Sequence, residues 1–415
     1  MGDNVSLLDR LSDNREWDSF LAHKKDGYCP DSELLEISEL IRSRGYEAVA
    51  ASIRNGSFPL PEKKMISKIS TNKKRAVYVY PREYTLCLKL LTYLMLRKYD
   101  RIFTTCLYSF RPGIAAKDAI LKLRATPEIG QMYSYKADIS DYFNSIDIER
   151  LLPELRSILA DDPQLFEFIV SLLREPRVVF GGKVIEERKG IMAGTPISSF
   201  LANVYLMDMD AHFAEAGITY ARYSDDIIIF ADHEEELRRH ISYIHECLAL
   251  KGLVINPDKE CYSRPHEKWV FLGISYEDGV IDIAPTSVRK IKGKMRRKAR
   301  SLMRWGDRND VPPEKGAKAF VRIFNRKLLE TSEDRDLTWS YWYFPVINTD
   351  ESLKEIDHYA QECLRFMLSG RRTKARFNVR YEDLKALGYR SLVNEYHRFR
   401  KSDEHDKELS VRQAT

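Results

Sequence analysis

The spacing of apolar and polar positions changes period several times along the chain. Tyr133-Ser134-Tyr135-Lys136-Ala137-Asp138-Ile139 has the bias of a strand, and a turn over Asp141-Tyr142-Phe143-Asn144-Ser145-Ile146-Asp147 leads from it into helical spacing from Ile148 to Ile158. Tyr220-Ala221-Arg222-Tyr223 and Ile227-Ile228-Ile229-Phe230 flank Ser224-Asp225-Asp226, which predicts a hairpin whose second arm is a buried strand. Between these segments, a glycine-punctuated loop from Lys189 to Asn203 runs into an apolar helix through Leu206, with the Ser198 and Ser199 hydroxyls positioned to cap it. Nearer the start, Asp31 to Ile37 carries a helix start signal and keeps helical spacing through Ile41. From about residue 286 helices dominate, interrupted by the polar stretch Gly306 to Lys315 and by the aromatic cluster Trp339-Ser340-Tyr341-Trp342-Tyr343-Phe344-Pro345. That cluster suits packing between helices or stacking on bases. The charged tail from Lys401 is expected to fray.

The hairpin tip carries the chemistry. Two adjacent carboxylates, Asp225 and Asp226, at the end of a buried hairpin repel each other and lose solvation, and a bound cation is the usual remedy. A third carboxylate on a neighbouring strand would complete a site for two Mg²⁺ ions, and Asp138, ending its strand ahead of a turn, is the candidate. Gly190 and Gly194 let backbone come close to a nucleotide or template. Asp225-Asp226 alone also fits an ordinary polar turn.

In order, Ala137-Asp138-Ile139-Ser140-Asp141-Tyr142-Phe143, then Gly190 to Asn203, then Tyr223-Ser224-Asp225-Asp226 resemble motifs A, B and C of bacterial reverse transcriptases related to group II intron and retron enzymes. The resemblance runs over about residues 70 to 275. It takes in Lys73-Lys74-Arg75 with the strand Ala76 to Tyr80, the element Tyr108-Ser109-Phe110-Arg111-Pro112-Gly113, a motif D over Gly252 to Lys259 and a motif E at Trp269-Val270-Phe271-Leu272-Gly273. It implies an α+β right-hand polymerase with fingers, an antiparallel-sheet palm and a helical thumb. By this carry-over Asp138, Asp225, Asp226 and the Ile139 carbonyl hold the metals. Lys259 donates a proton to pyrophosphate, and Arg75, Arg111, Gly194 and Ser198 face substrate. Phe143 bars a 2′-hydroxyl and so selects dNTPs. A solvated helix-end lysine is the other reading of Lys259; core packing is that of Phe143; surface charge is that of Arg75, Arg111, Lys74 and Arg82.

The chain also departs from that pattern. Met192-Ala193-Gly194 replaces the usual Pro-Gln-Gly, so Ala193 stands where a glutamine helps hold template and nucleotide. Neither the NAxxH and VTG elements of retron enzymes nor the SQ of diversity-generating enzymes occurs, and no CxxC of an appended endonuclease is present. By elimination the chain resembles the defence-associated enzymes of the unknown and abortive-infection groups, with class 2 the nearest. An RNA template, a dedicated non-coding RNA, and a DNA product are the implied partners. Untemplated or protein-primed DNA synthesis and an RNA-binding, maturase-like scaffold remain open alternatives, and the 23 tyrosines offer many candidate primers.

Composition adds three points. The 415 residues, 44% hydrophobic, suffice for a large core. The resemblance implies their division into an N-terminal extension over 1–65, fingers over 66–128, a palm over 129–285 with part of 150–190 joining the fingers, and thumb and C-terminal helices over 286–415. Net charge is only +5, yet Arg289, Lys290, Lys292, Lys294, Arg296, Arg297, Lys298, Arg300 and Arg304 crowd one stretch, a stripe suited to a phosphate backbone or to a solvated face. Six scattered cysteines without metal spacing, and no signal peptide or membrane span, lead us to expect a cytoplasmic protein without membrane association. No oligomeric state is legible.

Overall fold

The strands of the computed structural model are, in chain order, β1 (Glu62–Ser67), β2 (Lys74–Val79), β3 (Tyr133–Asp138), β4 (Arg177–Phe180), β5 (Lys183–Glu186), β6 (Tyr220–Tyr223), β7 (Asp226–Ala231), β8 (Cys261–Ser263), β9 (Trp269–Phe271), β10 (Ile274–Glu277) and β11 (Val280–Ile283). The structure describes all residues except 1–4, 28, 68–73, 330–337, 371–372 and 415, and the side chains of 375 and 404–414; Lys73 lies outside the described residues. The chain forms two compact units, Met1–Glu267 and Lys268–Thr415. The divisions expected at residues 65 and 128 fall inside the first unit, and that at 285 falls inside the second.

The first unit carries two sheets. In one, of order β2-β1-β4-β5, Glu62 of β1 stands opposite Val79 of β2, and the β4–β5 hairpin, from the 150–190 stretch, joins through β1. The other has the order β6-β7-β3-β8, all antiparallel, and its register sets Asp138 opposite Asp226. Ile227 to Ala231 are all buried, so β7 reads as an unbroken apolar run rather than an alternation. Helices Ile148–Ile158, Ser198–Tyr205 and Glu234–Leu250 contribute Leu151, Leu155, Phe200, Leu201, Ile244 and Leu248 to the same core as Ile227 and Ile229. The N-terminal helices Asn14–Asp26, Asp31–Arg42 and Tyr46–Arg54 also belong to this core: Trp17 stacks on Tyr46 at 5.4 Å, and the Ser6 hydroxyl and Leu7 N–H donate to the buried Asp162 at 2.7 and 2.8 Å.

In the second unit the antiparallel meander β9-β10-β11 precedes the helix Pro285–Arg308. Val288, Ile291, Met295 and Ala299, spaced three and four apart, are its buried side, facing helices Pro313–Leu328 and Glu351–Ser369. Arg289, Lys290, Lys294, Arg296, Arg297, Lys298, Arg300 and Arg304 are exposed. The expected polar interruption is shorter than its sequence, since helix continues to Arg308 and resumes at Pro313. Most of the aromatic cluster packs inward: Trp339 meets Tyr343 at 4.7 Å and Phe344 meets Tyr396 at 5.4 Å, while Tyr341 stays exposed. The tail expected to fray is helical from Leu392 to Ala414, its start held by Asp357, which accepts the N–H groups of Leu392 and Val393 and the Ser391 hydroxyl. All six cysteines are free thiols, and no helix among the described residues is long and apolar enough to cross a membrane.

Candidate active site

β6 and β7 are joined by a two-residue turn, Ser224-Asp225, with Tyr223 paired to Asp226. Ser224 takes φ +61°, a left-handed conformation at the first central position, where mirror-image hairpin turns require it. A non-glycine residue holds that conformation because its surroundings fix it. The Ser224 N–H donates to Ser109 Oγ at 2.9 Å, and its carbonyl accepts from Arg222 Nη1 at 3.2 Å. Asp225 in turn accepts at its carbonyl the N–H of Ile139 at 3.0 Å, so the turn is clamped to the end of β3.

These contacts converge three carboxylates. Asp138, Asp225 and Asp226 each offer an oxygen, all within 4.8 Å of one another. Asp138 is buried and the other two are half-buried. Burial raises the pKa of Asp225, and the charges of Asp138 and Asp226 raise it further; burial likewise raises that of Asp226, with Lys136 acting against it and Asp138 adding to it. Two ammonium groups face the cluster: Lys259 Nζ lies 2.6 Å from Asp138 Oδ1 and Lys136 Nζ lies 3.5 Å from Asp226 Oδ1. A hard-oxygen site of this charge suits Mg²⁺. Lys259 reaches it because the segment before it pairs with the chain after β3: Ser140 N–H donates to Val254 O and Asn256 N–H to Asp138 O, both at 2.8 Å.

Phe143, five residues after Asp138, lies on the short helix Tyr142–Ser145. Its ring meets Tyr142 at 5.8 Å and Phe110 at 6.2 Å, and the exposed Arg75 guanidinium lies 5.9 Å from it. The glycine loop is placed against the same helix. A Cβ at Gly190 (φ +52°) would fall 2.4 Å from the Phe143 carbonyl, and Ile191 N–H donates to that carbonyl at 3.0 Å. On the other side, Ala193 O accepts Tyr78 N–H at 2.8 Å, and a Cβ at Gly194 would come 3.1 Å from Val77 Cβ. The close approaches of both glycines are thus to the protein's own backbone and strands, although Gly194 keeps an exposed side.

Three sequence expectations need correction. Ser198 is fully buried, its hydroxyl against the Ile191 and Met192 carbonyls, so it ties the loop from inside instead of facing substrate. Neither Ser198 nor Ser199 caps the helix, whose N-cap is Ile197 without a side-chain bond; Ser199 donates to Pro196 O at 2.9 Å. Arg111 gives its guanidinium to both Asp100 oxygens at 2.9 Å and to the Thr104 and Leu107 carbonyls at 2.6 and 3.1 Å, which fixes the loop ahead of it and leaves little for a ligand. In the second unit, Lys292 pairs with Glu355 at 2.7 Å, whereas Arg289, Arg296, Arg297 and Arg300 remain exposed.

Sequence reasoning missed the support beneath the turn. Arg222, without exposed surface, forms a fork with Asp210 at 2.5 to 3.1 Å and donates to Asn203 O at 3.2 Å; Tyr220 OH also donates to Asp210, at 2.9 Å. Asn203 Nδ2 donates to Ser109 O at 2.8 Å and Ser109 Oγ donates to Asn203 Oδ1 at 3.1 Å. The available signal was polar residues inside apolar runs: Asn203 in an apolar helix and Arg222 in a strand entering the core.

Residues 62–276, slightly more than half of the 415, match the family described as Reverse transcriptase (RNA-dependent DNA polymerase). The retron Ec86 reverse transcriptase of Escherichia coli is 25% identical over 190 residues, which are 45% of this chain and 55% of that protein. The match thus spans about half the length of that relative. Among solved structures, apo telomerase from Candida tropicalis covers 80% of this chain and 69% of its own with a TM-score of 0.47 at 12% identity. Telomerase from Candida albicans in complex with a TWJ fragment of telomeric RNA covers 80% and 63%, with a TM-score of 0.45 at 12% identity.

Proposed function

Because the chain belongs to the reverse transcriptase family, we propose that it is an RNA-directed DNA polymerase that adds dNTPs to a primer 3′-hydroxyl on an RNA template. The convergence of Asp138, Asp225 and Asp226 within 4.8 Å carries this reading. Asp138, Asp225 and Asp226, with the Ile139 carbonyl, would hold two Mg²⁺ ions, which supply charge neutralisation for the attacking hydroxyl and the leaving pyrophosphate. The residues around them orient and select. Phe143 closes the space beside the nucleotide sugar, Arg75 next to it meets the triphosphate, and the open side of Gly194 lines the approach of the base pair. Lys259, on Asp138 at 2.6 Å, would donate a proton to the departing pyrophosphate.

The exposed arginines of Pro285–Arg308 support contact with the nucleic-acid backbone. The departures from retron, diversity-generating and intron hallmarks support a role in antiphage defence on a dedicated non-coding RNA. One observation favours a second reading, untemplated synthesis: Ala193, in the glutamine's place, is buried against β2 and offers nothing to a template base.

The test incubates purified protein and its co-purifying RNA with Mg²⁺ and labelled dNTPs. DNA complementary to that RNA is expected from the wild type, at least about a hundredfold less from Asp225→Ala, with RNA binding retained. Random or protein-linked DNA would favour the second reading, and undiminished synthesis by the variant would remove the metal assignment.

A further inference from the structure

A cavity of about 540 Å³ in the first unit lies beside the candidate active site and has no part in the chemistry above. Its size suits a ligand as large as a nucleotide. One wall is the helix Asn14–Asp26, which contributes Phe20, His23 and Lys24 and precedes the family-matched residues altogether. The helix Arg82–Tyr99, packed against it, contributes Tyr93 and Arg97, and Phe110 also lines the cavity.

The lining joins aromatic faces to cations. His23 lies over Tyr93 at 4.8 Å with 31° between the rings, and Phe20 meets Tyr93 at 5.5 Å. Lys24 Nζ lies 5.3 Å from the Phe20 centroid and the Arg97 guanidinium 5.4 Å from that of Tyr93. Arg97 is paired with Glu16 and Lys89 with Glu33, but Lys24 has no ion pair among the described residues. Burial and the like charge of Lys89 both lower its pKa, with Glu33 only partly opposing them, so an anion would relieve a strained ammonium.

Phe110 connects this cavity to the chemistry. It sits at φ +56° with 39% of its surface exposed, and its ring meets Phe143 edge-on at 6.2 Å and Tyr223 at 6.4 Å. One aromatic side chain therefore separates the cavity from the proposed sugar gate and from the catalytic turn. Base stacking on such faces tolerates any sequence, and a nearby cation takes the phosphate.

We propose that this cavity binds one nucleotide, its base among Tyr93, His23 and Phe110 and its phosphate at Lys24. This rests on the polymerase reading. The same chemistry is offered by an unpaired nucleotide of the template beyond the copied base and by a free nucleotide.

Primer extension on templates with no unpaired nucleotide beyond the copied base, or with three, tells these apart. For the wild type the overhang is expected to lower KM for primer–template roughly tenfold. Lys24→Glu should lose that advantage and extend the flush template as the wild type does, and Lys24→Arg should restore the advantage. Calorimetric titration with AMP alone reads the other source: saturable binding removed by Lys24→Glu, with the overhang advantage intact, assigns a free nucleotide. If AMP does not bind and the overhang effect is the same in all three proteins, the proposal is overturned. Should the wild type extend no template, anisotropy of a labelled single-stranded RNA on wild type and Lys24→Glu still reads the cavity without chemistry, and equal affinities there, together with no binding of AMP, overturn it.

Discussion

The Phe143 ring packs against Tyr142 and Phe110, and its backbone is pinned by the glycine loop, where the Ile191 N–H donates to the Phe143 carbonyl. A ring so confined cannot withdraw from an extra hydroxyl, and its truncation opens space without disturbing the carboxylates. Phe143→Val is therefore expected to raise kcat/KM for an NTP relative to its dNTP by about tenfold or more. An unchanged ratio from single-nucleotide incorporation would remove the gate. Lys189 tests burial instead. It is buried with Nζ donating to Glu175 O, and desolvation depresses its pKa to about 8 in spite of Glu175 and Glu187. The folded pKa lies below the ordinary 10.5, so between about 8 and 10.5 the unfolded chain binds more protons, and stability rises with pH across that window. Urea titrations should show wild-type stability gaining on Lys189→Met from pH 8 to 10; a pH-independent difference would refute it. At this scale the sequence was legible where two like charges stood together against an apolar run, as at Asp225-Asp226, but not at the lone Arg222. It misled for Ser198 and Arg111, because a residue type does not reveal that its partners are the protein's own carbonyls and Asp100.

Among elements, the β6–β7 hairpin depends on a polar scaffold buried beneath it. Taking Asp210 away leaves the Arg222 guanidinium charged and desolvated, which typically costs about 3 to 5 kcal/mol. Asp210→Asn should lower the urea midpoint accordingly, and the double change Asp210→Leu, Arg222→Met should recover most of the loss. Should the single change have no effect, the pair does not anchor the hairpin. Strands β3, β6 and β7 and the helices Asp31–Arg42 and Ile148–Ile158 were readable from spacing because their signals are local. The scaffold was not, since Ser224 finds Ser109 across 115 positions and Asn203 finds it across 94, distances over which periodicity carries no information.

At the scale of the molecule, composition set the capacity for a core but not where the chain divides. The hairpins β9 to β11 belong with the helices that follow them, although motif order had grouped them with the preceding sheet. The basic stripe illustrates the same limit, because linear charge density overstates what is free to bind. Lys292 is held by Glu355 at 2.7 Å and lies over Tyr359, so its charge is partly spent inside the unit. Arg296 and Arg300, one helical turn apart, are exposed and border a depression with Tyr359 and Arg376, and Arg297 is exposed beside them. Three guanidinium groups that touch phosphates release counterions, each contributing about 0.7 to the slope of log affinity against log salt for a single strand. Reversing Arg296, Arg297 and Arg300 to Glu should therefore weaken RNA binding uniformly across sequences and reduce that slope by about 2. Lys292→Glu should change the slope far less, while exposing Glu355 to a like charge and lowering stability. Equal slopes for the triple variant and the wild type would make the stripe a solvated face, and equal effects of the two changes would show that the ion pair to Glu355 yields to RNA.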